Sequence, residues 1–209
     1  MSLAASDPVR PPKLSYTRRD AFLAAGDVAD LLAYAEASEN AFRPTSVSGG
    51  ARPRVDAAIR VSNRVSLDTA MKERLRARFG AVLADIVAEL KVEPFELAKM
   101  EVELVAHGDG AFYRRHIDTR TQTDDRNLRA ISATYYFHRE PKAFAGGALR
   151  LYEVVPAGEA RFVDLEPTHN SCVFFPSWMP HEVLPVACPS RRHMDSRFAI
   201  NCWYRRPRA

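Results

Sequence analysis

The side chains best suited to chemistry lie in Phe112-Tyr113-Arg114-Arg115-His116-Ile117-Asp118-Thr119. In an extended segment, alternation sends His116 and Asp118 to the same face, an imidazole beside a carboxylate. The pair can share one metal ion but leaves its coordination incomplete, so a further ligand must come from elsewhere. The best-placed candidate is His181, in Phe174-Phe175-Pro176-Ser177-Trp178-Met179-Pro180-His181-Glu182-Val183. Two histidines and one carboxylate on a face, with the other positions open, suit a non-haem Fe(II) centre. A His-x-Asp pair alone is common, so its weight depends on what surrounds it.

Residues 1 to about 13, with Pro8, Pro11 and Pro12, read as a loose leader. Asp27 is expected to cap a helix through about Glu39, with Val28, Leu31, Leu32 and Tyr34-Ala35 as its apolar side. Pro44 to Pro53 reads as a loop and Val55 to Val65 as an early strand. Asp68 opens the clearest helix, to about Leu90. Met71, Leu75, Phe79, Val82, Ile86 and Leu90 form one stripe, while Lys72, Glu73, Arg76 and Arg78 stay outside. A helix with one apolar side covers a core. After Pro94 the texture changes to short β-rich runs near 97–106, 111–117, 129–138, 148–153, 160–165, 171–175, 181–186 and 196–204. Many short strands after helices suggest a β-sandwich or barrel with a helical layer on one side. No repeat, low-complexity segment or linker divides the chain.

At 209 residues with 46% apolar content, the chain fits one soluble domain with a sizeable core. No apolar run is long enough to span a membrane, and the N-terminus lacks the basic start and apolar stretch of a secretory signal. The three cysteines, Cys172, Cys188 and Cys202, form no cluster, which suggests reduced thiols in a cytoplasmic protein. The net charge of +4 comes from scattered arginines, with local pairs at Arg114-Arg115, Arg191-Arg192 and Arg205-Arg206. No basic stripe interleaved with aromatics exists, so nucleic acid is not expected as a partner.

Several further pieces follow the histidine–aspartate pair in order: Ala133-Thr134-Tyr135-Tyr136-Phe137, Gly146-Gly147-Ala148-Leu149, Pro180-His181-Glu182-Val183 and Arg197-Phe198-Ala199-Ile200. Over roughly residues 97 to 205, this set resembles the prolyl 4-hydroxylase-like branch of the Fe(II)/2-oxoglutarate oxygenases, which includes the oxygen-sensing prolyl hydroxylases. The resemblance implies an α+β protein with a mainly β core, a double-stranded β-helix (jelly-roll barrel) with N-terminal helices packed on one side. It also implies one oxygenase domain over 14–209, with a helical part at 14–95 and the jelly-roll core at 96–205. Position by position, His116, Asp118 and His181 match the iron ligands, and Arg197 matches the residue that pairs with the distal carboxylate of 2-oxoglutarate. A guanidinium fork suits that carboxylate, since it can donate two parallel hydrogen bonds. Tyr136 matches a tyrosine reaching the same carboxylate, Leu149 an apolar wall of its pocket, and Asn201 a polar neighbour of the metal-bound water. Along a strand, Arg197, Ala199, Asn201 and Trp203 share one face, which would line the barrel. Trp203 reads as packing there, and His138, His169 and His193 as surface or loop histidines.

The implied cofactors are Fe(II), 2-oxoglutarate and dioxygen, with ascorbate as an optional addition. The implied reaction hydroxylates a C–H bond, with prolyl residues among the candidates, and releases succinate and carbon dioxide. A carboxylate at Asp118 favours hydroxylation over halogenation, which needs that coordination position open. The substrate, small-molecule or peptidyl, stays unidentified; its candidate contacts are loops 44–53, 119–128 and 188–195. There are two departures from the family pattern. His107 stands near the place where relatives often have a tyrosine, and Cys188 to Asp195 lengthens the step from His181 to Arg197. Rival expectations are a cupin-like metalloenzyme that does not use 2-oxoglutarate, and a non-catalytic jelly-roll binding module.

Overall fold

The computed structural model describes residues 14–47, 54–119, 126–155 and 160–208. The expected leader at 1–13, residues 48–53 of the first loop and residues 120–125 of the loop after Asp118 lie outside these. In chain order the elements are β1 (Thr17–Asp20), α1 (Ala25–Ala37), β2 (Arg43–Pro44), β3 (Arg60–Val61), β4 (Asn63–Val65), α2 (Thr69–Ala81) and α3 (Leu83–Leu90). They continue with β5 (Lys99–His107), β6 (Phe112–His116), β7 (Asn127–Phe137), β8 (Ala145–Gly146), β9 (Leu149–Tyr152) and β10 (Phe162–Leu165). The last are β11 (Ser171–Pro176), β12 (His181–Val183), β13 (Val186–Ala187) and β14 (Arg197–Pro207). No helix among the described residues is long and apolar enough to cross a membrane.

Among the described residues a seven-stranded sheet runs β1-β11-β7-β14-β5-β4-β2, and a five-stranded sheet runs β10-β9-β12-β6-β3. A short pair, β13-β8, stands apart. The pairings are antiparallel, and two sheets facing each other give the double-stranded β-helix expected from the sequence. Strand alternation sorts the core. On β14, Phe198, Ile200, Cys202 and Tyr204 join Ile131, Ala133, Tyr135 and Phe137 of β7 in one apolar cluster. That cluster also takes Val28, Leu31 and Ala35 of α1, Met71, Leu75 and Phe79 of α2, and Ile86 and Leu90 of α3. The helices therefore cover the outer face of the large sheet. The opposite face turns Tyr136, Val173, Phe175 and Ala199 toward Leu149 and Leu151 of the small sheet. The functional site occupies this inner space.

Four expectations need correction. Asp27 does not cap α1; the helix starts after Ala24 with no side-chain cap, and Asp27 lies in the first turn, where its charge complements the helix dipole. Asp68 does cap α2, accepting from the Met71 N–H at 2.8 Å, but the helix breaks at Val82 and resumes as α3. The apolar stripe continues across the break, which is why the sequence reads as one helix. The run from Val55 to Val65 is not one strand: after a turn, β3 pairs with β6 in the small sheet while β4 pairs with β5 in the large one. Likewise 181–186 divides at Pro185, which lacks an N–H for the ladder.

Candidate metal centre and cosubstrate pocket

β6 and β12 lie side by side, with the Cα atoms of His116 and His181 directly paired. Asp118 follows the end of β6, where its N–H donates to the Ser177 carbonyl at 2.9 Å. The ligand atoms of His116, Asp118 and His181 all lie within 4.8 Å of one another. Both imidazoles have the same arrangement. His116 Nδ1 is 2.8 Å from the Arg114 carbonyl and His181 Nδ1 is 2.9 Å from the Met179 carbonyl. A carbonyl only accepts, so each Nδ1 carries the proton and each Nε2 presents its lone pair to the shared centre. The two Nε2 atoms stand 3.8 Å and 3.6 Å from the Asp118 carboxylate.

The carboxylate is held as firmly. Its Oδ2 accepts from Ser132 Oγ at 2.7 Å and from Trp203 Nε1 at 2.8 Å, and Arg129 approaches Oδ1 at 3.7 Å. Burial pushes the Asp118 pKa up, but the neighbouring His181, His116 and Arg129 and the Ser132 hydroxyl outweigh it, and the net shift is downward. Burial, reinforced by His181, lowers the His116 pKa against the pull of Asp118. A neutral imidazole and an ionised carboxylate are the protonation states a metal requires.

The same cleft, about 700 Å³, is lined by Arg197, Leu149, Asn201, Trp203 and His107 as well as the three ligand candidates. Arg197 begins β14 and is 1% exposed. Its Nη1 lies 3.1 Å from His107 Nδ1, and its guanidinium carbon lies 4.7 Å from the Tyr136 ring centroid. Nε and Nη2 of Arg197, the Tyr136 hydroxyl and His107 Nε2 are buried without a hydrogen-bond partner among the described residues. Tyr136 does not itself line the cleft; it lies beneath Arg197, and burial pushes its pKa up to about 12, which keeps the hydroxyl a donor. Space for the Arg197 side chain depends on Gly147, at φ +73°, where a Cβ would fall 2.7 Å from Arg197 Cδ. The Gly-Gly-x-Leu piece is thus a clearance requirement as well as a turn.

Sequence reasoning missed the partners of Asp118. Trp203 reads as packing in the sequence, yet its indole N–H donates to the carboxylate; its place on the Arg197 face is the available signal. Ser132 carried no motif, and only the register of β7 against β14 brings it opposite Trp203. Tyr113 stacks on His116 with ring centroids 3.6 Å apart. The remaining histidines lie outside the strands as expected, His169 in a half-exposed turn, but two of them are packed. His138 is buried against Phe144, and His193 packs between Phe42 and Phe198 with Nε2 3.1 Å from the Ala35 carbonyl. The 188–195 segment is accordingly tied down at both the helical layer and, through Cys188 N–H to Asp109 Oδ1 at 2.9 Å, the turn after β5.

Residues 102–205 match the 2OG-Fe(II) oxygenase superfamily. That region of the chain belongs to this superfamily. An uncharacterised PKHD-type hydroxylase of Synechocystis sp. is 39% identical over 142 residues, which is 66% of this chain and 46% of that protein. Egl nine homolog 1 of Homo sapiens is 34% identical over 102 residues, covering 46% of this chain and 20% of its own length. The chain thus spans less than half the length of these curated relatives. Among solved structures, a Pseudomonas putida prolyl-4-hydroxylase aligns with TM-score 0.67 and 27% identity, covering 93% of this chain and 94% of that one. A Trichoplax adhaerens prolyl hydroxylase, solved with a hypoxia inducible factor oxygen degradation domain peptide, has the same fold at TM-score 0.66 and 20% identity, covering 92% and 84%. The superfamily uses Fe(II), 2-oxoglutarate and dioxygen. The residues here fit the metal and the cosubstrate: two bare imidazole nitrogens meet a carboxylate, and several orphaned buried donors stand ready for a second carboxylate.

Proposed function

We propose that the protein is an Fe(II)- and 2-oxoglutarate-dependent hydroxylase of a C–H bond, with a prolyl residue in a peptide as the first candidate substrate. The observation that carries this reading is the pairing, in one cleft, of a three-ligand metal cluster with a buried guanidinium that has donors to spare. His116, Asp118 and His181 would hold Fe(II). When bound, the metal and cosubstrate supply dioxygen activation coupled to release of succinate and carbon dioxide. Everything else falls to the chain. The backbone carbonyls of Arg114 and Met179 keep both histidines in the ligating tautomer, and Ser132 and Trp203 fix the carboxylate. Arg197 would receive the distal carboxylate, with the Tyr136 ring supporting its guanidinium from beneath, Leu149 walling the cosubstrate chain and Asn201 adding a polar side chain to the cleft lining. The described elements would act as one oxygenase domain, the helices serving as a brace for the large sheet. Three buried cysteines without disulfides support the cytoplasm as its setting.

Orphaned donors at Arg197 argue against the cupin-like alternative, because an unpaired buried guanidinium is costly unless a ligand satisfies it, and the presence of all three ligand candidates argues against a non-catalytic binding module. Anaerobic titration with Fe(II) and then 2-oxoglutarate tests the reading. The chelate is expected to give a weak visible charge-transfer band, and Arg197→Lys, which keeps the charge but loses the fork, is expected to need at least about tenfold more 2-oxoglutarate. Iron binding with no band in the wild type would remove the cosubstrate and leave the cupin-like alternative in front.

A further inference from the structure

The cleft holds a second buried guanidinium that no carboxylate among the described residues pairs directly. Arg60, on β3, is 9% exposed and lines the same cleft as the metal ligands. Its Nε donates to Ser62 Oγ at 2.8 Å, and Ser62 in turn donates to Thr45 Oγ1 at 3.0 Å. Among the described residues neither Nη atom has a hydrogen-bond partner and no carboxylate pairs with Arg60. Burial lowers its pKa despite the favourable pull of Glu103, Tyr113 and Asp118. The surroundings are of the same sign. Six lysine and arginine side chains and three carboxylates line the cleft. The carboxylates are already engaged: Glu101 with Arg129 and Arg205, Glu103 with Arg64, and Asp118 with the ligand cluster. Fe(II) and the 2-oxoglutarate dianion cancel each other's charge, so loading the site leaves the excess positive.

Position adds to charge. Arg60 is the strand partner of Tyr113, and its guanidinium carbon lies 4.6 Å from the centroid of that ring. The same ring stacks on the ligand candidate His116 at 3.6 Å. Arg60 is therefore one aromatic ring removed from the metal centre, and it comes from a segment preceding the 102–205 superfamily match.

We infer that Arg60 receives a carboxylate of the substrate, an acidic peptide segment whose Asp or Glu lies about two residues from the hydroxylated position. The spacing follows from the separation of one ring and from the ~3.3 Å rise per residue of an extended peptide, whose alternate side chains share a face. A planar fork over an aromatic ring suits a carboxylate better than a neutral group. This inference rests on the hydroxylase reading.

The test is an anaerobic selection on the Fe(II)- and 2-oxoglutarate-loaded protein from a peptide library with a fixed central proline and four randomised positions on each side. The wild type is expected to enrich Asp or Glu at least about tenfold at one position near two residues from the proline. Changing that Glu to Gln in the selected peptide should weaken binding by a similar factor in wild type and less than about twofold in Arg60→Gln. Arg60→Lys should retain part of the preference, and it decides the matter if Arg60→Gln does not fold. No acidic enrichment by wild type, the same preference in Arg60→Gln, or loss of 2-oxoglutarate binding in a folded Arg60→Gln would each overturn the assignment. The charge-transfer band separates the two readings: its absence from wild type refutes the hydroxylase itself, while a band without acidic preference refutes only the role of Arg60.

Discussion

Replacing Trp203 with phenylalanine isolates one hydrogen bond behind the metal centre. The ring would stay beneath Arg129, whose guanidinium carbon lies 3.8 Å from the indole, while the N–H that reaches Asp118 Oδ2 at 2.8 Å disappears. Ser132 would remain as the only direct donor to that oxygen among the described residues, so the carboxylate keeps one tether and gains freedom to rotate. A hydrogen bond to a charged group contributes about 1.5–3 kcal/mol net. Partners that orient metal ligands are worth about 10–100-fold in metal affinity. The two scales agree, because about 1.4 kcal/mol is one factor of ten. Trp203 is only half-buried, which discounts the expectation toward the low end, about tenfold. The assay is anaerobic competition for Fe(II) against a chromophoric chelator, with circular dichroism verifying the fold. A folded Trp203→Phe protein binding iron within twofold of wild type would refute the reasoning, and the carboxylate would then be oriented by Ser132 and the backbone alone.

Gly147→Ala places a Cβ 2.7 Å from Arg197 Cδ at φ +73°, a backbone region that costs an L-residue about 1–2 kcal/mol. A lower melting temperature together with at least about tenfold weaker 2-oxoglutarate binding is expected; unchanged cosubstrate titration would mean that Arg197 has other room. His107 has its pKa lowered well below 6.5, first by burial and then by Arg197 and Arg60, so the folded state holds it neutral while the unfolded chain takes up a proton. Stability from this group is therefore full above about pH 6.5 and falls as pH drops below it, and a denaturation series against pH should show His107→Gln with a shallower acid slope. Phe79 is fully buried against Phe22, Phe174 and Tyr204, so Phe79→Ala should cost about 3–5 kcal/mol in urea unfolding, and a loss below about 1 kcal/mol would mean the helical layer adds little to the sheet.

The metal cluster was legible only in part from local spacing, and the pair gained its weight from His181 and the ordered pieces after it. Period-two alternation puts His116 and Asp118 on one face, and the same rule puts Arg197 and Asn201 on the barrel side of β14, as observed. What stayed hidden depends on which strands meet. Trp203 and Asp118 are far apart in sequence, and their bond follows only from the placing of β14, β7 and β6 around the cleft. Arg60 is a similar case. The alternating run at 55–65 signalled an extended chain, but no pattern within it says that the chain crosses from one sheet to the other at Ser62. The helix break at Val82 escaped notice for the opposite reason: the apolar stripe is continuous, and periodicity reports the face a helix buries, not whether its axis is interrupted.

The direct pairing of His116 with His181 across β6 and β12 has a consequence for the lifetime of the protein. These residues come from distant parts of the chain and become neighbours only when the small sheet has closed in its correct register. A slip of one residue would turn either imidazole to the wrong face. An ion held by this ligand set binds the finished fold and not the unfolded chain, and it stabilises the former by mass action, about 1.4 kcal/mol for each tenfold rise in free metal above its dissociation constant. Iron supply would then govern not only the activity of each molecule but how many molecules escape proteolysis, with starvation thinning the population before any substrate is encountered.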